Sequence, residues 1–240
     1  MVSKIDDPKA SADPFAPRGD PPRVIVLSSS PRRNGNSRRL AEAAVAGAAA
    51  AGHAVELAHL PDHVSGFLRD CRECRDAEGR CRIDDGFRSL FLEKVLKADA
   101  IVYATPIWWY GISGILKTFM DRMFCYIAHS EPDSEDIARR LQWKRAALIL
   151  SAEESNFSAR LAIVQQMQEL CRYLDHSMVG IVTGIGNRRG DVEQDPSLPL
   201  DSARELGRRL FEIKATDYRL DTERSASVWQ DGQAFPGYWR

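Results

Sequence analysis

The stretch Val24-Ile25-Val26-Leu27-Ser28-Ser29-Ser30-Pro31-Arg32-Arg33-Asn34-Gly35-Asn36-Ser37 decides how the rest of the chain is read. A short apolar run leads into a polar loop, and an alanine-rich segment continues from the loop to Ala51. That order is strand, turn, helix. The first turn of a helix leaves backbone N–H groups without partners and carries the positive end of the dipole, so an anion placed there gains several hydrogen bonds at once. Ser28, Ser29, Ser30 and Ser37 offer hydroxyls, Asn36 an amide and Arg32 a permanent cation. Each charge-assisted bond contributes about 1.5–3 kcal/mol, so the segment suits a terminal phosphate. Taken alone, it also fits a plain strand-to-helix turn in which Pro31, Asn34 and Gly35 serve geometry. Neither a Walker loop nor a dinucleotide fingerprint follows the strand, which takes weight from ATP, GTP and a Rossmann-type NAD site.

Outward from this segment, short β-branched runs alternate with amphipathic stretches. Strands are expected over residues 24–28, 54–59, 100–104, 146–150 and 178–183. Helices are marked by Phe87, Leu90, Phe91 and Val95; by Leu116, Phe119, Met120 and Met123; by Phe157, Leu161, Val164 and Cys171; and by Leu206, Leu210 and Ile213. Such alternation is the signature of a parallel sheet covered on both faces, a three-layer α/β/α sandwich that binds ligands at the carboxyl ends of its strands. The 240 residues allow one domain, expected over 23–215. Residues 1–22, with five prolines, read as a disordered tail, and residues 216–240 as an aromatic-rich tail with Trp229, Phe235, Tyr238 and Trp239. Those rings suit a neighbouring subunit, a cover for the ligand site, or a locally docked or disordered end.

Thirty-three basic against 34 acidic residues give a net charge of -1, no electrostatic footprint for nucleic acid or an anionic membrane. An odd count of five cysteines, behind an acidic start with Asp6 and Asp7, points to no signal peptide and a cytoplasmic setting with reduced thiols. Residues 100–116 carry no charge, yet Pro106, Gly111 and Gly114 interrupt them, so a strand plus loop fits better than a membrane span.

A second segment follows the third strand: Ala104-Thr105-Pro106-Ile107-Trp108-Trp109-Tyr110-Gly111-Ile112-Ser113-Gly114, then Lys117, Asp121 and Arg122. Loops at strand ends are normally polar, so three successive aromatic residues need a reason. A flat polycyclic ligand supplies one, with backbone N–H groups near Gly111 and Gly114 at its polar edge; a core or dimer role for Trp108 and Trp109 is the alternative.

Together, S-P-R-R-N-G-N-S before a helix and T-P-I-W-W-Y-G-I-S-G-I-L-K-T-F-M-D-R after the third strand resemble the flavodoxin-like NAD(P)H-dependent FMN reductases, which include quinone reductases and iron-sulfur flavoproteins. The resemblance spans roughly residues 23–215 and is weakest over 125–145. It implies a flavodoxin-like five-stranded parallel sheet of order 2-1-3-4-5. It implies FMN, its phosphate held by Ser28, Ser30, Arg32, Asn36 and Ser37 and its ring bordered by Pro106, Ile107, Trp108, Trp109 and Gly111. Ser151-Ala152-Glu153-Glu154 stands where relatives supply a third flavin-contacting loop; its carboxylates read as solvated. Gly184-Ile185-Gly186 and Gly190-Asp191-Val192 match the family's return to the last helix.

The activity implied is a ping-pong transfer from NADH or NADPH, through FMN, to a quinone, free flavin or other small electron acceptor, by a homodimer or homotetramer. No side chain is needed as the catalytic group, because the cofactor performs the chemistry. The alternative is a flavodoxin-type electron-transfer protein without nicotinamide activity, although its T-G-x-T-G-x-T loop and strongly acidic surface are missing; a flavin-less scaffold is the third reading.

Cys71, Cys74 and Cys81 look at first like a metal site. Iron-sulfur members carry C-x2-C-x2-C and a fourth cysteine, and here the third place is Ala77; His63 and Asp76 are the nearby substitutes. No metal is expected, and the readings left are a cluster remnant with idle cysteines or a redox pair at Cys71 and Cys74. Histidines 53, 59, 63, 129 and 176 form no zinc-like pair and read as surface or helix-end residues.

Overall fold

The computed structural model describes residues 13–70, 75–128 and 130–213. Outside them lie residues 1–12, Cys71, Cys74, His129 and the ring-rich segment from 214 onward, with Trp229, Phe235, Tyr238 and Trp239.

Five strands, β1 (Arg23–Ser28), β2 (Ala54–His59), β3 (Ala100–Pro106), β4 (Arg145–Ala152) and β5 (Ser177–Ile185), form one parallel sheet of order β2-β1-β3-β4-β5. Each expected strand is present. β1, β3 and β4 are almost wholly buried because helices cover both faces, which is why they read as continuous apolar runs rather than alternating ones. On one face, Val24, Val26, Val102 and Ile149 meet α1 (Asn36–Ala50) and α6 (Pro199–Arg208). On the other, Ile25, Leu27, Tyr103 and Leu148 meet α2 (Phe87–Ser89) with its π-helical continuation (Leu90–Val95), α3 (Gly114–Ile127), α4 (Ser134–Leu141) and α5 (Ser158–Tyr173). No helix among the described residues is long and apolar enough to cross a membrane.

Three expectations need correction. The buried stripe of α5 is Ala159, Ile163, Met167 and Cys171, leaving Phe157 64% and Leu161 48% exposed. Two residues along a helix rotate the face by about 200°, so a helix with apolar residues at 157, 161 and 164 and at 159, 163 and 167 has two stripes, and periodicity alone does not say which meets the sheet. Leu210 and Ile213 pack where a last helical turn was expected, but α6 ends at Arg208 and its start lies back at Pro199. His59 and His176 are buried rather than superficial, because each stands at the end of a strand inside the sheet's cover. Helix α4 had no expectation: Ile137 and Leu141 are its only large apolar residues, and it is held by an acidic first turn, a basic last turn and those two anchors.

The amino ends of β3 and β4 are covered. Residues 13–22 lie across them: Asp99 accepts from the N–H groups of Arg18 (2.9 Å) and Arg23 (2.8 Å), and Arg18 donates to Gln142 O (2.6 Å). Arg145 reaches Phe15 O (3.2 Å) and Ile213 O (2.6 Å). Lys144 is buried there and donates to Leu96 O (3.1 Å) and Ala98 O (2.5 Å), with burial lowering its pKa to about 7.

His176, at the amino end of β5, makes this end of the sheet sensitive to acid. Its Nε2 donates to Leu141 O at 2.7 Å, and burial, against the raising effect of that bond, lowers its pKa to about 4. Between pH 6.5 and about 4 the unfolded chain binds a proton here that the folded chain does not, so stability falls as pH drops through that window. The loss reaches on the order of 3 kcal/mol. Lys144, lowered to about 7, adds slope only at the upper end of this range, in parent and variant alike. In His176→Gln, urea midpoints measured from pH 7 to 4 should fall less steeply than in the parent; equal slopes would refute the assignment.

Candidate functional site

The carboxyl edge is built from the loops after β1, β3, β4 and β5. The loop after β1 turns tightly: Arg32 N–H donates to Ser30 Oγ (3.2 Å) and Gly35 N–H to Arg32 O (3.0 Å). Helix α1 then starts without a side-chain cap and without an acidic residue in its first turn. Its exposed dipole end is the arrangement that takes an anion. Ser28, Ser30 and Ser37 are buried around this start, and Ser28 Oγ has no hydrogen-bond partner. By strand alternation Ser28 shares the α1 face with Val24 and Val26. The side chain of Arg32 is exposed and makes no ion pair among the described residues, whereas Arg33 pairs with Asp62 (2.5 Å) and Arg38 with Glu42 (2.7 Å).

Asn36 does something the sequence does not announce. Its Nδ2 donates to Gly186 O (2.9 Å) and Arg188 O (2.9 Å), and its Oδ1 accepts from Gly190 N–H (2.9 Å). The amide thus stitches the start of α1 to the loop after β5. Gly186 permits this, since a Cβ there would stand 2.8 Å from Asn36 Nδ2.

Beyond Pro106 and Ile107, both half-buried, residues Trp108 to Gly111 form a two-residue hairpin. Trp108 N–H donates to Gly111 O and Gly111 N–H to Trp108 O, each at 3.0 Å. Trp109 and Tyr110 take φ of 49° and 59°, the type I′ geometry that normally selects Asn-Gly. Two bulky residues in left-handed conformations are strained by about 1–3 kcal/mol each, a cost usually met at sites of function. Trp109 is 96% exposed at the tip, and Tyr110 OH donates to Glu154 Oε1 at 3.4 Å, tying the hairpin to the loop after β4. The Gly111 N–H, closing the hairpin, is not directed at a ligand.

A buried hydroxyl pair joins the two halves. Ser113 Oγ donates to Ser29 Oγ at 2.8 Å, while Ser29 N–H and Oγ both bond Ala104 O (2.9 and 3.1 Å). Ser113 also caps α3 through Leu116 N–H (3.3 Å) and is set by Thr105 Oγ1 (3.0 Å). Anion cradle and aromatic hairpin are thereby fixed side by side at the ends of adjacent strands β1 and β3. Neither the cap at Ser113 nor its partnership with Ser29 was read from the sequence. Across β2, in register with Ser28, lies buried His59, whose pKa is lowered by burial first and by Arg33 next.

These features fit an elongated ligand with a phosphate at one end and a planar ring at the other. The family profile of the NADPH-dependent FMN reductases matches residues 22–187. A Bacillus subtilis protein named as an NAD(P)H-dependent FMN-containing oxidoreductase, YwqN, is 30% identical over 174 residues, covering 72% of this chain and 90% of that one. An iron-sulfur flavoprotein of Methanocaldococcus jannaschii is 29% identical over 201 residues, 80% of this chain and 96% of its own. Among solved structures, the Trp repressor binding protein of Bacillus subtilis superimposes with a TM-score of 0.59 at 27% identity, over 77% of this chain and 99% of that one. The NAD(P)H:quinone oxidoreductase of Methanothermobacter marburgensis shares the fold at a TM-score of 0.59 and 21% identity, over 79% and 96%. With the profile matched over residues 22–187 and the sheet ordered β2-β1-β3-β4-β5, the chain belongs to the NADPH-dependent FMN reductase family.

Proposed function

We propose that this enzyme carries two electrons from NAD(P)H to a quinone, free flavin or similar small acceptor in two alternating half-reactions. FMN as cofactor and NAD(P)H as reductant follow from the family. With a quinone Q the sum is NAD(P)H + H⁺ + Q → NAD(P)⁺ + QH₂. When bound, FMN supplies a ring that accepts a hydride and gives it up again.

The chain's own residues bind and orient. The uncapped amides of α1, the hydroxyls of Ser28, Ser30 and Ser37 and the cation of Arg32 suit the phosphate dianion. Asn36 supports the cradle by holding the β5 loop, with its amide hydrogen bonds directed away from the anion. Pro106, Ile107, Trp108 and Trp109 border the ring, and Gly111 serves by closing the hairpin that presents them. The observation that carries this reading is the Ser29–Ser113 link, because it sets the cradle and the aromatic hairpin within one ligand's reach.

Exposed Trp109, Phe124, Phe157 and Tyr173 support a homodimer or homotetramer, which sedimentation velocity separates from a monomer. The odd cysteine count supports a cytoplasmic setting, checked by titrating five free thiols in fresh protein.

The test is spectral and kinetic. Protein loaded with FMN should show a flavin band that bleaches with anaerobic NADPH and returns on adding quinone, with parallel double-reciprocal plots. Failure to retain FMN would end the reading, and intersecting plots would remove the alternation. Bleaching by dithionite but not by NADPH or NADH would make the chain an electron carrier instead.

A further inference from the structure

We infer that a buried Arg75–Glu131 clamp closes the loop of residues 75–86 in this chain, doing the structural work that a four-thiolate iron-sulfur cluster would do. Several relatives are named iron-sulfur flavoproteins, so the fit of such a cluster has to be tested on this chain's residues. A cubane takes four cysteine thiolates. Cys71, Cys74 and Cys81 offer three, and Ala77 stands between them. Cys171 is buried in α5, with its thiol pushed up to about 12 by burial. Among the described residues, no group of three histidine, cysteine or acidic side chains is placed to hold a metal. With Ala77 in its third place, the C-x2-C-x2-C set is one thiolate short.

Protein groups hold the loop together. Arg75 and Cys81 pair as an antiparallel bridge, and Asp76 N–H donates to Arg80 O at 2.9 Å. Asp76 Oδ1 accepts from Arg80 N–H at 2.7 Å. Gly79 takes φ +81° at the tip, and a Cβ there would stand 2.5 Å from Ser130 O, so the tip is pressed against the connection between α3 and α4.

Arg75 anchors this arrangement. Only 7% of its side chain is exposed, and it donates to Gly79 O (2.5 Å), Cys125 O (2.6 Å) and Glu131 Oε2 (3.2 Å). Glu131 is 1% exposed, and its second oxygen lies 3.7 Å from Arg88, an ion pair longer than a hydrogen bond. A buried carboxylate in this position depends on Arg75, since taking one partner away strands a charge out of water. One cation therefore joins the loop to the last turns of α3 and to the approach of α4.

Limited trypsin digestion, with cleavage after Arg80 and Arg82 read by mass spectrometry, tests the clamp. Arg75→Lys keeps the charge but loses the fork that reaches three acceptors; Glu131→Gln keeps the shape and loses the charge. Each should raise the rate of cleavage at Arg80 and Arg82 about tenfold, the signature of local opening. Treating the parent protein with dithionite and a ferrous chelator should leave its cleavage rate and thermal midpoint unchanged. Stoichiometric iron whose removal opens the loop would overturn the inference, as would both variants being cut at the parent rate.

Discussion

Arg122→Ala is expected to lower stability by about 3–5 kcal/mol, and the thermal midpoint by about 10 °C or more. Arg122 is fully buried in α3, with its guanidinium 4.3 Å from the Phe87 ring centroid. It grips Asp85 with both ends of its fork, one bond at 2.9 Å, and donates to Gly66 O at 3.2 Å. Asp85 in turn accepts from the N–H groups of Ser65 (2.9 Å), Gly66 (3.1 Å) and Phe87 (3.1 Å). Alanine would leave that carboxylate buried without its counter-charge and open a cavity beside the ring. Burial pushes the Asp85 carboxyl up, but the Arg122 bond and the three N–H groups outweigh it and hold the pKa below the ordinary carboxylate value. The stability this gives is present above the unfolded pKa and is lost as pH falls through the lower folded one. In the variant this share of the acid loss should shrink, because without Arg122 the folded carboxyl no longer lies as far below the unfolded one. A thermal midpoint within about 2 °C of the parent at pH 7 would show that the pair contributes little.

This pair also marks the limit of what the sequence discloses. Arg122 stood in the quoted stretch after the third strand, but nothing in its spacing names Asp85, which lies on a loop before α2. The strands were legible because three central ones are buried on both faces and so are apolar throughout. The two candidate site segments stood out because their residue types are unusual for strand ends. What stayed hidden depends on three-dimensional partners. Asn36 looks like a phosphate ligand and is bonded into the β5 loop; Ser29 looks like another and is locked to Ser113. Trp109-Tyr110 reads as a polar-edge platform with glycine help, yet it is a strained I′ turn whose tip points to solvent. In α5 two apolar stripes competed, and only the sheet beneath could choose between them.

Gly47→Val should be the other severe change, for a reason that composition conceals. The run from Ala41 to Ala51 reads as helix-favouring alanine, and within it glycine reads as a flaw costing about 1 kcal/mol. Structure reverses that value. A Cβ at Gly47 would lie 1.8 Å from Arg204 O, and one at Gly207 would lie 2.1 Å from Ala44 O, so α1 and α6 cross backbone against backbone. Valine would have to force the helices apart, at a cost of about 3 kcal/mol or more, and the start of α1, where we place the phosphate, would move with it. Gly114→Ala is the control: a Cβ there meets nothing within 4 Å at the first residue of α3. It should be neutral or stabilising by up to about 1 kcal/mol. Urea unfolding of both variants, with FMN retention measured by fluorescence at pH 7, separates the outcomes. Gly47→Val should lose FMN at urea concentrations where the parent still holds it. If Gly47→Val matches the parent in midpoint, the close crossing is not what holds α1 in place.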